Sequence, residues 1–163
     1  MTIGPVTEEH WPSIRKIYED GILTGHATFQ ISAPDWKEWD LSHLKKPRLV
    51  AKEQEQIIGW AALTPVSGRC VYAGVAEVSI YIAQHARGKG VGKYLLQALI
   101  DESEKSNLWT LQAGIFRENL ASLAIHQHCG FRIVGFREKI GKMNNQWRDT
   151  LLLERRSDKI GME

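Results

Sequence analysis

Glu77-Val78-Ser79-Ile80-Tyr81-Ile82 leads through Ala83 into Arg87-Gly88-Lys89-Gly90-Val91-Gly92, and then into Tyr94-Leu95-Leu96-Gln97-Ala98-Leu99-Ile100. The first segment alternates: Glu77, Ser79 and Tyr81 share one side, Val78, Ile80 and Ile82 the other, which is the period of a strand. The last carries apolar residues at the three-to-four spacing of an amphipathic helix, expected over Val91 to Lys105. Between them Gly88, Gly90 and Gly92 remove side chains where the chain turns sharply into the helix. The first N–H groups of such a helix have no partner within it and favour an anion the size of a diphosphate, with Arg87 and Lys89 adding positive charge.

The spacing of the glycines decides against two other phosphate loops. A triphosphate-binding loop needs Lys-Ser or Lys-Thr after its last glycine, and this chain has neither there. A dinucleotide fingerprint needs G-x-G-x-x-G after the first strand of a repeating fold. Gly88-Lys89-Gly90-Val91-Gly92 is spaced differently and sits halfway along the chain. ATP hydrolysis and hydride transfer therefore lose ground.

Upstream, Thr7 followed by Glu8, Glu9 and His10 opens a helix bearing Trp11, Ile14, Ile17 and Tyr18, weakened at its end by Gly21 and Gly25. A shorter helix begins near Pro34-Asp35, carries Trp36, Trp39 and Leu44, and stops before Pro47. Leu49-Val50-Ala51 and Ile57 to Leu63 read as antiparallel strands joined across the polar Lys52 to Gln56 turn. Downstream come a strand from Leu108 to Ile115, a helix from Leu120 to His128, and a strand from Phe131 to Phe136. Gly141-Lys142-Met143-Asn144-Asn145 is the expected turn before a last strand, Trp147 to Glu154. This order implies an α+β fold, a mixed sheet with helices on both faces. The first half has too many strands without crossover helices for a doubly wound fold.

A chain of 163 residues suits one domain, residues 1–163, with one substantial core. Its formal charge of +2 is too small to imply nucleic acid, and Lys45, Lys46 and Arg48 are not extended into an aromatic-interleaved stripe. Met1 to Pro5 lacks the apolar run of a secretion signal and no stretch approaches a membrane span, so a cytoplasmic location without membrane partners is expected. Cys70 and Cys129 read as free thiols. His43, His85, His126 and His128 are scattered, and His126-x-His128 alone is too little for a metal site. Trp11 and Trp60 read as core, whereas Trp36, Trp39 and Trp147 are candidates for a pocket or a subunit contact.

Arg87-Gly88-Lys89-Gly90-Val91-Gly92 resembles the acyl-CoA-binding motif of the GCN5-related N-acetyltransferase superfamily. Asn119-Leu120-Ala121-Ser122, His126 and Gly130-Phe131 extend the likeness. Within that superfamily the chain resembles the phosphinothricin and methionine-sulfoximine acetyltransferase group, through Ile17-Tyr18, Ala27-Thr28-Phe29, Glu77 to Ile82, and Gly141-Lys142 with Trp147 to Thr150. The resemblance implies a mostly antiparallel sheet splayed at an acetyl-CoA site. The N–H groups of Arg87 through Gly92 would take the diphosphate, Ile80 and Ile82 would pair with the pantetheine arm as an added strand would, and Asn119 and Ser122 would lie beside it.

An amine must be neutral to attack a thioester, and a proton must reach the departing thiolate. The resemblance puts Glu77 in the place of the base, acting through water, and His126 in the place of a second acid, base or donor. Ser122 and Cys129 lack a nucleophile–base–orienter arrangement, so direct transfer is expected without an acyl-enzyme. Thr28, Phe29 and Trp36 fall in the segment that supplies acceptor contacts in relatives, and Arg69, Arg148, Lys142 and Asn144 are candidates for an acceptor carboxylate near Glu77. The resemblance further implies a homodimer, and a small amino acid or analogue as acceptor. It departs from its subgroup at Val78, where relatives commonly carry histidine or asparagine after the strand glutamate. Another small amine or antibiotic, or an acyl-CoA sensor without turnover, are the alternatives.

Overall fold

A computed structural model describes residues 1–163. Seven strands form one sheet: β1 Thr2–Pro5, β2 Arg48–Glu53, β3 Gln56–Pro65, β4 Val75–Ile82, β5 Thr110–Phe116, β6 Arg132–Met143 and β7 Gln146–Arg156, in the order β1-β2-β3-β4-β5-β7-β6. Four helices accompany them: α1 Trp11–Leu23, α2 Trp36–Ser42, α3 Val91–Lys105 and α4 Leu120–His128. Every strand pair is antiparallel except β4–β5, whose connection runs through α3.

Sequence explains where the elements begin. Asp35 accepts from the Glu38 N–H at 2.8 Å and Glu38 reaches back to the Asp35 N–H at 3.2 Å, a reciprocal cap that starts α2. Gln54 and Glu55 both take positive φ, as a tight two-residue hairpin turn demands, and the β2–β3 turn is correspondingly shorter than the polar run suggests. Asn144 and Asn145 do the same between β6 and β7. The expected Gly141 to Asn145 turn therefore shrinks to two residues, because Gly141, Lys142 and Met143 pair with Arg148, Trp147 and Gln146. β1 has no counterpart in the sequence reading: only Ile3 gives Thr2–Pro5 an apolar character, and its pairing with β2 is what makes it a strand.

The two faces of the central strands are covered by different helices. On one face Trp60 of β3 and Tyr81 of β4 stack with ring centroids 4.9 Å apart, and Tyr18 of α1 meets both edge-on. On the other, Leu95 of α3 comes down over Gly59, and Leu95, Leu96, Leu99 and Ile100 are fully buried. Each such side chain contributes about 1.5–3 kcal/mol on leaving water. Trp39 is core rather than pocket: it is 1% exposed, packed between Trp11, His43 and Trp60, with the Arg48 guanidinium 5.2 Å from its ring. Arg48 is itself buried, held by Asp40 at 2.5 Å and by the Leu44 carbonyl at 2.8 Å, so its charge is structural and not a surface for a polyanion.

The feature that positions the site is a break in the sheet. β4 and β5 pair only at Val75↔Thr110, Ala76↔Leu111 and Glu77↔Gln112. Beyond Glu77, β4 continues against β3 as far as Ile82, and β5 continues against β7 as far as Phe116, without pairing to each other. The strands part like the arms of a V. Along Val78–Ile82, alternate backbone N–H and C=O groups face the opening without a strand partner.

Candidate active site

A cavity of about 910 Å³ fills this opening. At its wide end the chain turns at Gly88 and Gly90, with φ of +74° and +81°, conformations glycine reaches without the Cβ penalty. The first bond of α3 runs from the Tyr94 N–H to the Gly90 carbonyl at 3.1 Å. Val91, Gly92 and Lys93 therefore keep N–H groups with no partner inside the helix, pointing at the cavity mouth. Gly88, Gly90, Val91 and Gly92 all line the cavity, as does Arg87, whose Nε donates to the Ile82 carbonyl at 3.2 Å. Lys89 does not line it and is exposed to solvent. Lys93, in the first turn of the helix, does line it and supplies the second cation.

Along the arms lie Ile80 and Ile82 from β4, and Asn119, Ser122, Ile125 and His126 from the start and inner face of α4. Asn119 also has a structural task. Its Oδ1 caps α4 by accepting the Ser122 N–H at 3.2 Å, and its Nδ2 donates to the His26 carbonyl at 3.1 Å. It shapes the cavity wall and ties residue 26 to it, keeping one side-chain N–H and one oxygen lone pair free.

His126 is 2% exposed. Its Nδ1 lies 2.8 Å from the Ser122 carbonyl, which can only accept, so Nδ1 carries the hydrogen. Nε2 is left as a bare lone pair, buried and without a partner. Burial holds the imidazole below its ordinary range despite that carbonyl, so the ring is neutral at pH 7. Of the acid, base or donor roles open to it in sequence, this favours acceptor.

Glu77 stands where the arms meet. The Gln112 Nε2 donates to its Oε2 at 3.1 Å across the last paired rung, and its Oε1 lies over Gly114. Gln112 carries no signal of its own in the sequence, because its place opposite Glu77 is set by the β4–β5 register. Beyond Glu77 the cavity is closed by Thr28, Phe29 and Gln30 from the loop after α1, and by Arg137, Ile140 and Thr150 from the β6–β7 hairpin. Phe29 meets Phe116 edge-on at 4.7 Å and lies flush against Gly141, where a Cβ would come within 2.8 Å of the ring.

Arg69 does not reach this place. It precedes a short turn, Cys70–Tyr72, on the far side of β4's start, and its guanidinium sits over the Tyr72 ring. Arg148 is also turned away: it donates to the Gly25 carbonyl at 2.9 Å, meets His26 and Glu118, and covers Phe116. Tyr81 lines the cavity, but burial holds its phenol far above its ordinary value, so it remains protonated and packs as part of the core. Trp36, Trp39 and Trp147 line none of it. Cys70 and Cys129 are free, and no three His, Cys, Asp or Glu side chains gather where a metal could be held.

A diphosphate-sized nest at one end, an unpaired strand edge along one wall and a carboxylate at the vertex suit a long amide-bearing thioester. The acetyltransferase (GNAT) domain family model matches residues 5–152. The chain belongs to the GNAT acetyltransferases. This GNAT chain is 34% identical over 160 residues to the phosphinothricin N-acetyltransferase of Alcaligenes faecalis, covering 94% of this chain and 81% of that one. It is 30% identical over 152 residues to the L-methionine sulfoximine/L-methionine sulfone acetyltransferase of Pseudomonas aeruginosa, covering 88% and 87%. Its fold matches the Sinorhizobium meliloti GNAT phosphinothricin acetyltransferase solved with acetyl-CoA, at a TM-score of 0.85, 29% identity, and 95% and 87% coverage. This GNAT chain is an acetyl-CoA-dependent N-acetyltransferase of mixed α/β fold, acting on small molecules. No helix in it is long and apolar enough to cross a membrane.

Proposed function

We propose that the chain, acting as one domain over residues 1–163, acetylates the primary amine of a small α-amino acid or analogue of the phosphinothricin and methionine-sulfoximine kind. The observation that carries this reading is Glu77, held by Gln112 at the vertex of the opening and facing an acceptor end closed by Thr28, Phe29 and Arg137. The relatives named for those two substrates support it.

Gly88 to Lys93 hold the diphosphate of acetyl-CoA on backbone N–H groups, and the free edge of Ile80 to Ile82 aligns the pantetheine arm. Glu77 takes the ammonium proton of the incoming acceptor through water, leaving a lone pair free to attack. His126 offers Nε2 as the second proton-holding atom, able to accept the proton lost as the C–N bond forms and to return it to the departing sulfur. Ser122 orients that ring through its carbonyl. The enzyme works in the cytoplasm as a homodimer, a state supported by exposed Ile133, Val134 and Phe136 on the outermost strand, β6.

The test is steady-state release of coenzyme A thiol with L-phosphinothricin, L-methionine sulfoximine and a panel of simple amines. Turnover with the amino-acid analogues is expected. Glu77→Gln should then lower kcat by about 10²- to 10⁴-fold while acetyl-CoA binding by calorimetry is unchanged. Acetyl-CoA binding with no thiol release across the panel would instead identify a sensor. Sedimentation is expected to give twice the chain mass of 18.5 kDa.

A further inference from the structure

Arg137 is a cation that the fold leaves unpaired at the acceptor end. On the same half of the sheet Arg117, Arg132, Arg148 and Arg155 each meet a carboxylate, at 3.3, 3.0, 3.4 and 3.1 Å. The Arg137 guanidinium meets none, makes no side-chain hydrogen bond within the chain, and lines the cavity beside Ile140, Phe29 and Thr150.

Its placement follows from register. Arg137 pairs with Thr150 of β7, which pairs with Phe116 of β5, and partners in register project from the same face of a sheet. Phe116 is two residues from Gly114, over which the Glu77 carboxylate lies, so Glu77, Phe116, Thr150 and Arg137 share one face. β6 lies two strand spacings from β5, about 10 Å. Phe116 lies about 7 Å along β5 from Gly114, so the Arg137 backbone starts about 12 Å from the place of the Glu77 carboxylate. A guanidinium reaching about 4 Å inward leaves about 8 Å, the span of an α-amino acid with a hydrogen bond at each end. The strand is also shaped to present this residue. Immediately after Arg137 the β6–β7 register shifts, Lys139 adopts a φ of +47°, and its N–H is held by Asp149 at 2.8 Å, with Arg117 on the other oxygen of Asp149. A bulge of this kind bends a strand and re-aims its side chains.

We infer that Arg137 binds the α-carboxylate of the acceptor, with the Thr150 hydroxyl beside it, and so selects α-amino acids over simple amines of the same side chain. This rests on the proposed acetylation of amino-acid analogues and names the group that recognises them. The carboxylate is drawn to the guanidinium while the amine at the neighbouring carbon is turned toward Glu77.

The experiment compares L-methionine sulfone with its decarboxylated amine, on wild type and on Arg137→Gln and Arg137→Lys. Arg137→Gln should raise KM for the amino acid by about 10- to 100-fold, the worth of a charged hydrogen-bonded contact. It should leave the amine's kcat/KM and the acetyl-CoA Kd unchanged, and Arg137→Lys should recover part of the loss. An equal loss on both acceptors, or no change in amino-acid KM, would overturn the inference. If wild type acetylates the amine as readily as the amino acid, carboxylate recognition fails while acetyl transfer stands. If it acetylates neither, and no other amine, the proposed function fails, and the inference with it.

Discussion

His126 shows how much chemistry a single buried atom can fix. The Ser122 carbonyl leaves only one tautomer that satisfies Nδ1, and the empty Nε2 follows from it. The unfolded chain takes up a proton at this imidazole near the ordinary value of about 6.5, whereas burial makes the folded chain resist it. Between those two values the unfolded state binds more protons, so stability is full above about pH 6.5 and falls as the pH drops, with a limiting slope of about 1.4 kcal/mol per pH unit. The fall ends where folded His126 itself protonates. Urea unfolding from pH 7 to pH 5 should show this decline, and His126→Gln should flatten it. His43 and His10, whose imidazoles are likewise lowered chiefly by burial, account for what remains. Sequence identified His126 by its place before Gly130-Phe131 but left its protonation state open, because tautomers are set by a carbonyl only the folded helix brings near.

At the scale of elements, the chain's local signals were most legible where they were strongly periodic. α3 and α4 have the bounds their patterns imply, and the loop between β4 and α3 is where the glycines place it. Non-local partners were less legible. Asn119 looks in sequence like a ligand residue, and only the fold shows that it also caps its own helix and holds residue 26. Arg69 and Arg137 are both arginines near acceptor-side segments, and only the sheet register distinguishes the one that reaches the cavity. The acceptor wall itself is built from two elements far apart in sequence: the loop after α1 and the β6–β7 hairpin, joined by Arg148 to Gly25 and His26 and by Phe29 against Gly141. Gly141→Ala inserts a methyl 2.8 Å from the Phe29 ring, so the ring must leave Phe116 or the strand must shift. A destabilisation of about 1–3 kcal/mol is expected by urea unfolding, with a higher acceptor KM and unchanged acetyl-CoA affinity. Gly135→Ala on the same strand, with open space around it, should do neither.

For the whole molecule, the gap between β4 and β5 leaves strand edges that, on the proposed reading, the pantetheine arm of acetyl-CoA completes. Binding acetyl-CoA to the folded state alone should add about 2.7 kcal/mol at a hundredfold excess over Kd, which for a domain of this size is a rise in Tm of roughly 5–10 °C. Gly90→Ala puts a Cβ into a left-handed conformation, at a cost of about 1–2 kcal/mol, and distorts the nest of N–H groups. Its own Tm should fall and its acetyl-CoA-dependent rise should shrink, as read by thermal unfolding with and without acetyl-CoA.

The three rungs that join β4 to β5 make a fulcrum, and the two arms beyond them are levers of unequal travel. Displacement in such a device grows with distance from the pivot. A loosening that widens the mouth at Gly88 to Gly92, enough to let coenzyme A leave and a fresh acetyl donor enter, moves the vertex least. Glu77 and Gln112 sit on the pivot itself. Such an enzyme can exchange its bulky donor each cycle while the carboxylate proposed as its base stays in place, so turnover need not rebuild it.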